Sequence, residues 1–142
     1  MRDQAWLERL LKIILAEHFH DVPPAAPLEI RYGKRARNRL GSLGFDPARQ
    51  VATIRLTRLF EDQTVPEMIV KAVIVHELCH YAHGWHSTLE RKHRYPHAGG
   101  VIRAEFAERG LEDLYIAQKR WLKANWLRLV QKHYPDLRLH QK

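Results

Sequence analysis

The sequence predicts an α+β fold, and three observations together predict it. An amphipathic helix opens the chain, strand candidates cluster between residues 28 and 57, and helical patterns fill the chain from residue 66 onward. At 142 residues the chain has the length of one domain with a real core, so residues 1–142 are expected to fold as a single unit. A composition of 45% hydrophobic and 28% charged residues is that of an ordinary globular protein.

Taken in order, residues 4 to 19 place Trp6, Leu7, Leu10, Leu11, Ile14 and Leu15 at helical spacing. The prolines at 23, 24 and 27 end that helix. Leu28 to Tyr32 alternates in polarity and predicts a strand, and residues 34 to 39 form a basic connector. Arg39 to Phe45 and Val51 to Thr57 predict two further strands around a turn at Asp46-Pro47-Ala48-Arg49.

Next comes a helix from about Pro66 to His83. Thr64-Val65-Pro66-Glu67 reads as a capping box, with Thr64 at the N-cap and Glu67 at the third helical position. Residues 84 to 100 read as an irregular loop rich in histidine. A helix from about Val101 to Arg109 follows, stopped by Gly110. The last helix, roughly Leu114 to Lys132, lines Tyr115, Leu122, Trp126, Leu129 and Val130 along one stripe, with Trp121 beside it. Such a stripe predicts core packing ahead of a base-stacking platform.

Chemistry concentrates in His76-Glu77-Leu78-Cys79-His80. Positions i and i+4 of an α-helix share a face one turn apart, so His76 and His80 can offer two imidazole nitrogens to one Zn²⁺. Glu77 reaches the same opening and can act as a general base toward water. The residues leading into the motif are apolar on nearly all sides, so the helix is expected to be buried, and ionisable groups inside it need a partner. The expected cofactor is a single zinc ion.

A catalytic zinc site takes three protein ligands and keeps one position open. Six of the ten histidines lie between residues 76 and 97, so His83, His86, His93 and His97 compete for the third place. His83 is still on the helix but displaced along its axis. Glu105 or Glu108 forms a second class of candidate, against the simpler expectation that both lie on a solvated helix face with Arg103 and Arg109.

The formal net charge is +8, and the excess is uneven. Eight Lys or Arg and one acid lie between Arg31 and Arg58, and seven and one between Gln118 and Lys142. Two such blocks suggest an anionic partner, and DNA contacts are expected at Lys34, Arg35, Arg37 and Arg39. The alternative for the blocks is a solvated surface. One cysteine excludes a disulfide framework within the chain and a four-cysteine zinc ribbon, and it fits a reducing compartment. Neither a signal peptide nor a membrane span is read in the sequence, so a cytoplasmic protein, nucleoid-associated through DNA, is expected.

Residues 28 to 125 resemble the SprT-like family of zinc metallopeptidases, to which Spartan belongs. The resemblance follows the order of parts: Leu40-Gly41-Ser42, the Val51–Thr57 strand, a Pro66–Val75 helix entering His76–His80, His83-Gly84, Pro96-His97, a helix with Phe106, then Ala117 and Trp121-Leu122. It implies His97 as third ligand. It also implies a minimal zincin-type domain, in which a small, mostly antiparallel three-stranded sheet lies over the active-site helix, flanked by N- and C-terminal helices. The activity it implies is proteolysis of proteins bound or crosslinked to DNA. Val101 stands where the family carries an aromatic residue, and the interval from His80 to His97 is slightly long. The related YgjP-like metallopeptidases carry Asn-His-Ser six residues past the motif, and Trp85-His86-Ser87 matches that spacing, which keeps His86 in competition.

The function expected is therefore zinc-dependent peptide hydrolysis, with His76, His80 and His97 as ligands, Glu77 as base, and protein substrates associated with DNA. The competing expectation is a nucleic-acid-binding module without protease activity. Its zinc would be structural and closed by four protein ligands, a site in which Glu77 has no use.

Overall fold

The computed structural model describes residues 1–22, 27–84 and 100–136. Helix α1 (Gln4–His18) starts where Asp3 Oδ1 accepts a hydrogen bond from the Trp6 amide at 2.9 Å. It buries Leu7, Leu10, Leu11 and Ile14, the stripe that the periodicity marks. Strands β1 (Leu28–Tyr32), β2 (Gly41–Asp46) and β3 (Val51–Leu56) form one sheet in the order β1-β3-β2. The central strand β3 is buried at every position except Arg55, the pattern of a strand covered on both faces.

The sheet is mixed, which corrects the expectation of a mostly antiparallel one. β2 and β3 pair antiparallel with Gly41 opposite Leu56 and Asp46 opposite Val51, whereas β1 and β3 run parallel with Leu28 opposite Ala52. The reason lies in the connector. It carries the chain from the end of β1 to the far edge of the sheet, so β2 runs back and β3 slots between them, pointing the same way as β1. The β2–β3 turn is closed by Asp46, whose carboxylate accepts from the Ala48 amide at 3.0 Å and from Arg49 Nε at 2.9 Å. Arg49 reaches on to Glu29 of β1, which ties the turn to the opposite edge.

A short 3₁₀ turn (Arg58–Glu61), which periodicity does not reveal, leads to helix α2 (Glu67–Ala82). Twelve of the 16 residues of α2 are buried, and it touches α1, β2, β3 and the two later helices. Its capping differs from the box that the sequence suggests. Thr64 is not the N-cap: its amide and hydroxyl both donate to Asp62 Oδ1, at 2.9 and 2.7 Å, and Pro66 occupies the cap position without a side-chain cap bond. Asp62 wins because its carboxylate is a stronger acceptor than the Thr64 hydroxyl and stands two residues away, the spacing of an Asx turn.

Helix α3 (Val101–Glu108) stops at Gly110, whose φ of +74° lets the Leu111 amide reach back to the Phe106 carbonyl at 2.7 Å. Helix α4 (Glu112–His133) begins two residues before the predicted start and carries Glu112 and Asp113 in its first turn. Its aromatic stripe packs inward as expected. Trp126 meets Phe60 edge-on at 6.1 Å, and Tyr115 meets Phe106 edge-on at 5.3 Å. One apolar cluster draws residues from α1, β1, β3, α2, α3 and α4. Among the described residues no helix is long and apolar enough to cross a membrane.

Candidate active site

His76 and His80 lie on successive turns of the buried helix α2, and their Nε2 atoms stand 3.1 Å apart with the rings inclined at 69°. Two imidazole ligands on a tetrahedral ion, each with a metal–nitrogen bond of about 2.0–2.1 Å, have their nitrogens about 3.3 Å apart. The pair therefore fits a shared divalent metal. Among the described residues no group of three His, Cys, Asp or Glu is arranged to hold a metal ion. His86, His93 and His97, the expected sources of the third ligand, lie outside the described residues.

Glu77 is 7% exposed, and both it and His76 line a cavity of about 440 Å³. Burial pushes its carboxyl up to about 7, against the opposing pull of the Arg39 charge. Cys79 is fully buried, and burial pushes its thiol up as well, so it serves as core filler.

His83 and Glu105 correct a reading of the sequence. Glu105 does not belong to a solvated face. It is partly buried against His83, whose side chain is 1% exposed, with His83 Nε2 at 2.6 Å from Glu105 Oε1. The other oxygen of Glu105 accepts from Arg109 Nε at 2.8 Å, and Arg109 continues to the His18 carbonyl and the Asp21 carboxylate. A hydrogen bond from Arg109 holds the Asp21 carboxyl below its ordinary range. The guanidinium also lies 3.9 Å over the Phe19 ring. This chain of charges ties the last turn of α2 to α3 and to the end of α1. Glu108, the other acid considered as a ligand, is exposed.

The basic connector is anchored through its main chain. The carbonyls of Lys34, Arg35, Ala36 and Arg37 accept, in turn, from the Arg58 amide, the Tyr134 hydroxyl, the Thr57 hydroxyl and the Trp126 indole. Lys34, Arg35, Arg37 and Arg39 are all left exposed. Arg39 stands at the end of this stretch and lines the same cavity as Glu77, which joins the basic block to the cleft.

The opposite wall holds residues that the sequence did not single out as functional: Arg103 from α3, and Tyr115, Gln118 and Lys119 from α4. Tyr115 could be read only as part of the packing stripe. Gln118 is 7% exposed, and polar side chains on a surface helix carry no signal that they turn inward. Gly41 and Val73 close the cleft where β2 meets α2. No family model matches the chain, and no curated protein and no solved structure shows significant similarity to it.

Proposed function

We propose that the chain is a zinc-dependent metallopeptidase of the SprT-like kind, acting on proteins held on DNA. The observation that carries this reading is the 3.1 Å pair of imidazole nitrogens beside Glu77 in one cleft. His76 and His80 would hold the ion, and His97 is proposed as the third ligand, with His86 and then His93 as competitors. Zn²⁺, when bound, supplies acidified water and a polarised scissile carbonyl. Glu77 takes a proton from the attacking water and returns it to the leaving amine. The Glu105–His83 contact, three residues past His80, holds the end of the ligand-bearing helix in place. The connector that ends in Arg39 brings an exposed row of cations to the rim of the same cleft, which supports a substrate presented on DNA.

The test is Glu77→Gln. Zinc content should stay at one ion per chain by elemental analysis, while hydrolysis of a denatured protein substrate falls by about a hundredfold or more. His76→Ala should lose the zinc itself. Hydrolysis that survives Glu77→Gln would sink the assignment of the base. Zinc held by a protein that hydrolyses nothing would point to the structural-zinc module in its place.

A further inference from the structure

We propose that the cleft beside His76 and Glu77 is built to receive an acidic peptide segment, a carboxylate side chain being held between Arg39 and Lys119 next to the scissile bond. The inference rests on the peptidase reading and adds the substrate class. The cavity, about 440 Å³, is the size of a site for a few residues of extended chain. Among the described lining residues three are cations, Arg39, Arg103 and Lys119, and Glu77 is the one carboxylate. Arg103 already faces Glu112 at 3.3 Å. Arg39 and Lys119 pair with no carboxylate among the described residues, so both are available to an incoming anion.

The same wall also carries a polar, uncharged group. Gln118 is more than nine-tenths buried and lines the same cavity, bringing a neutral amide to the wall beside Lys119. Its NH₂ can donate to a ligand that accepts hydrogen bonds. A carboxylate is such an acceptor, and with the flanking cations it makes the stronger, charge-assisted kind of bond.

A single-stranded nucleic acid is the weaker occupant. Recognition of unpaired bases calls for an open aromatic face. Among the described lining residues the one tyrosine, Tyr115, packs edge-on against Phe106 and has Arg103 at 5.7 Å and Lys119 at 5.4 Å over its ring.

The experiment compares two fluorescein-labelled decapeptides that differ only in Glu against Gln at the central positions. Binding is read by anisotropy on zinc-loaded Glu77→Gln protein, and cleavage on the unsubstituted protein. The acidic peptide should bind about tenfold tighter and be cleaved with the higher kcat/KM. In the same Glu77→Gln background, adding Lys119→Gln or Arg39→Gln should each remove most of that preference, weakening the acidic peptide more than the neutral one. Arg128→Gln, on the same helix but away from the cavity, should change neither. Equal binding of the two peptides overturns the proposal, as does an equal loss with Arg128→Gln, which would mean bulk charge. Displacement of the peptide by oligothymidine, with oligothymidine affinity itself dependent on Lys119, also overturns it by making the cleft a nucleic-acid site. A retained binding preference with no cleavage of either peptide supports the acidic subsite while removing the peptidase reading, so the two can fail separately.

Discussion

Asp62 holds more of the molecule together than its place in a short loop suggests. Its side chain is 7% exposed and accepts four hydrogen bonds, two from Thr64 and one each from Lys132 Nζ and His133 Nε2 at 2.8 Å. Its carbonyl accepts from Arg2, which also reaches Phe60 and Val65. The loop thus clamps the start of the chain to the end of α4. Burial acts to raise the Asp62 carboxyl, but the bonds from Lys132, Thr64 and His133 outweigh it, so the group lies well below the usual carboxylate range. A carboxyl depressed in the folded state contributes stability above its unfolded value near 4, and that contribution is lost as pH falls toward the folded one. Asp62→Asn should therefore lower stability at pH 7 by about 1–3 kcal/mol in urea titrations, with the gap narrowing at pH 3. A gap that stays constant with pH would show that ionisation of Asp62 has no part in the clamp.

At the level of elements, the seam between β2 and α2 sets the shape of the cleft. A Cβ built on Gly41 would lie 2.7 Å from Val73 Cγ1 and 3.4 Å from Leu56 Cδ2, both packed side chains. Gly44, three residues along the same strand, would meet only the flexible end of Arg55 at 3.3 Å. Gly41→Ala should cost about 1–3 kcal/mol, because strand and helix must part. Gly44→Ala should be near neutral in the same thermal or urea melts. Equal effects would remove the close approach as the reason for glycine at 41. Helix α2 was legible in the sequence because its signals are local: an apolar run, and two histidines four residues apart. The parallel pairing of β1 with β3 was not, since strand order depends on where the connector carries the chain. Glu105 was misread for the same reason. Its partner His83 stands 22 residues away, and the chain of charges closes on Asp21, 88 residues from Arg109. The capping box failed locally, because a neighbouring carboxylate competed for Thr64.

Over the whole molecule, the net charge of +8 becomes a question of placement. The row of Lys34, Arg35, Arg37 and Arg39 is exposed and continuous with the cleft, whereas Arg2 and Arg109 are occupied inside the fold. If the row contacts phosphates, duplex affinity should fall steeply with salt. The slope of log K against log salt should flatten by about one for each contact removed on reversing Lys34, Arg35 or Arg37 to Glu. Binding that ignores salt, or that these reversals leave unchanged, would return the row to a solvated surface.

The anchoring of that row by its carbonyls separates what the stretch is from what it displays. Hydrogen bonds from Arg58, Thr57, Trp126 and Tyr134 grip only main-chain oxygens, which every amino acid supplies. The side chains at 34, 35 and 37 can therefore be rewritten with little cost to the fold. A stretch held in this way can gain, lose or exchange its partner by substitution alone, and for an engineer it is a ready place to graft a different binding sequence beside an unaltered cleft.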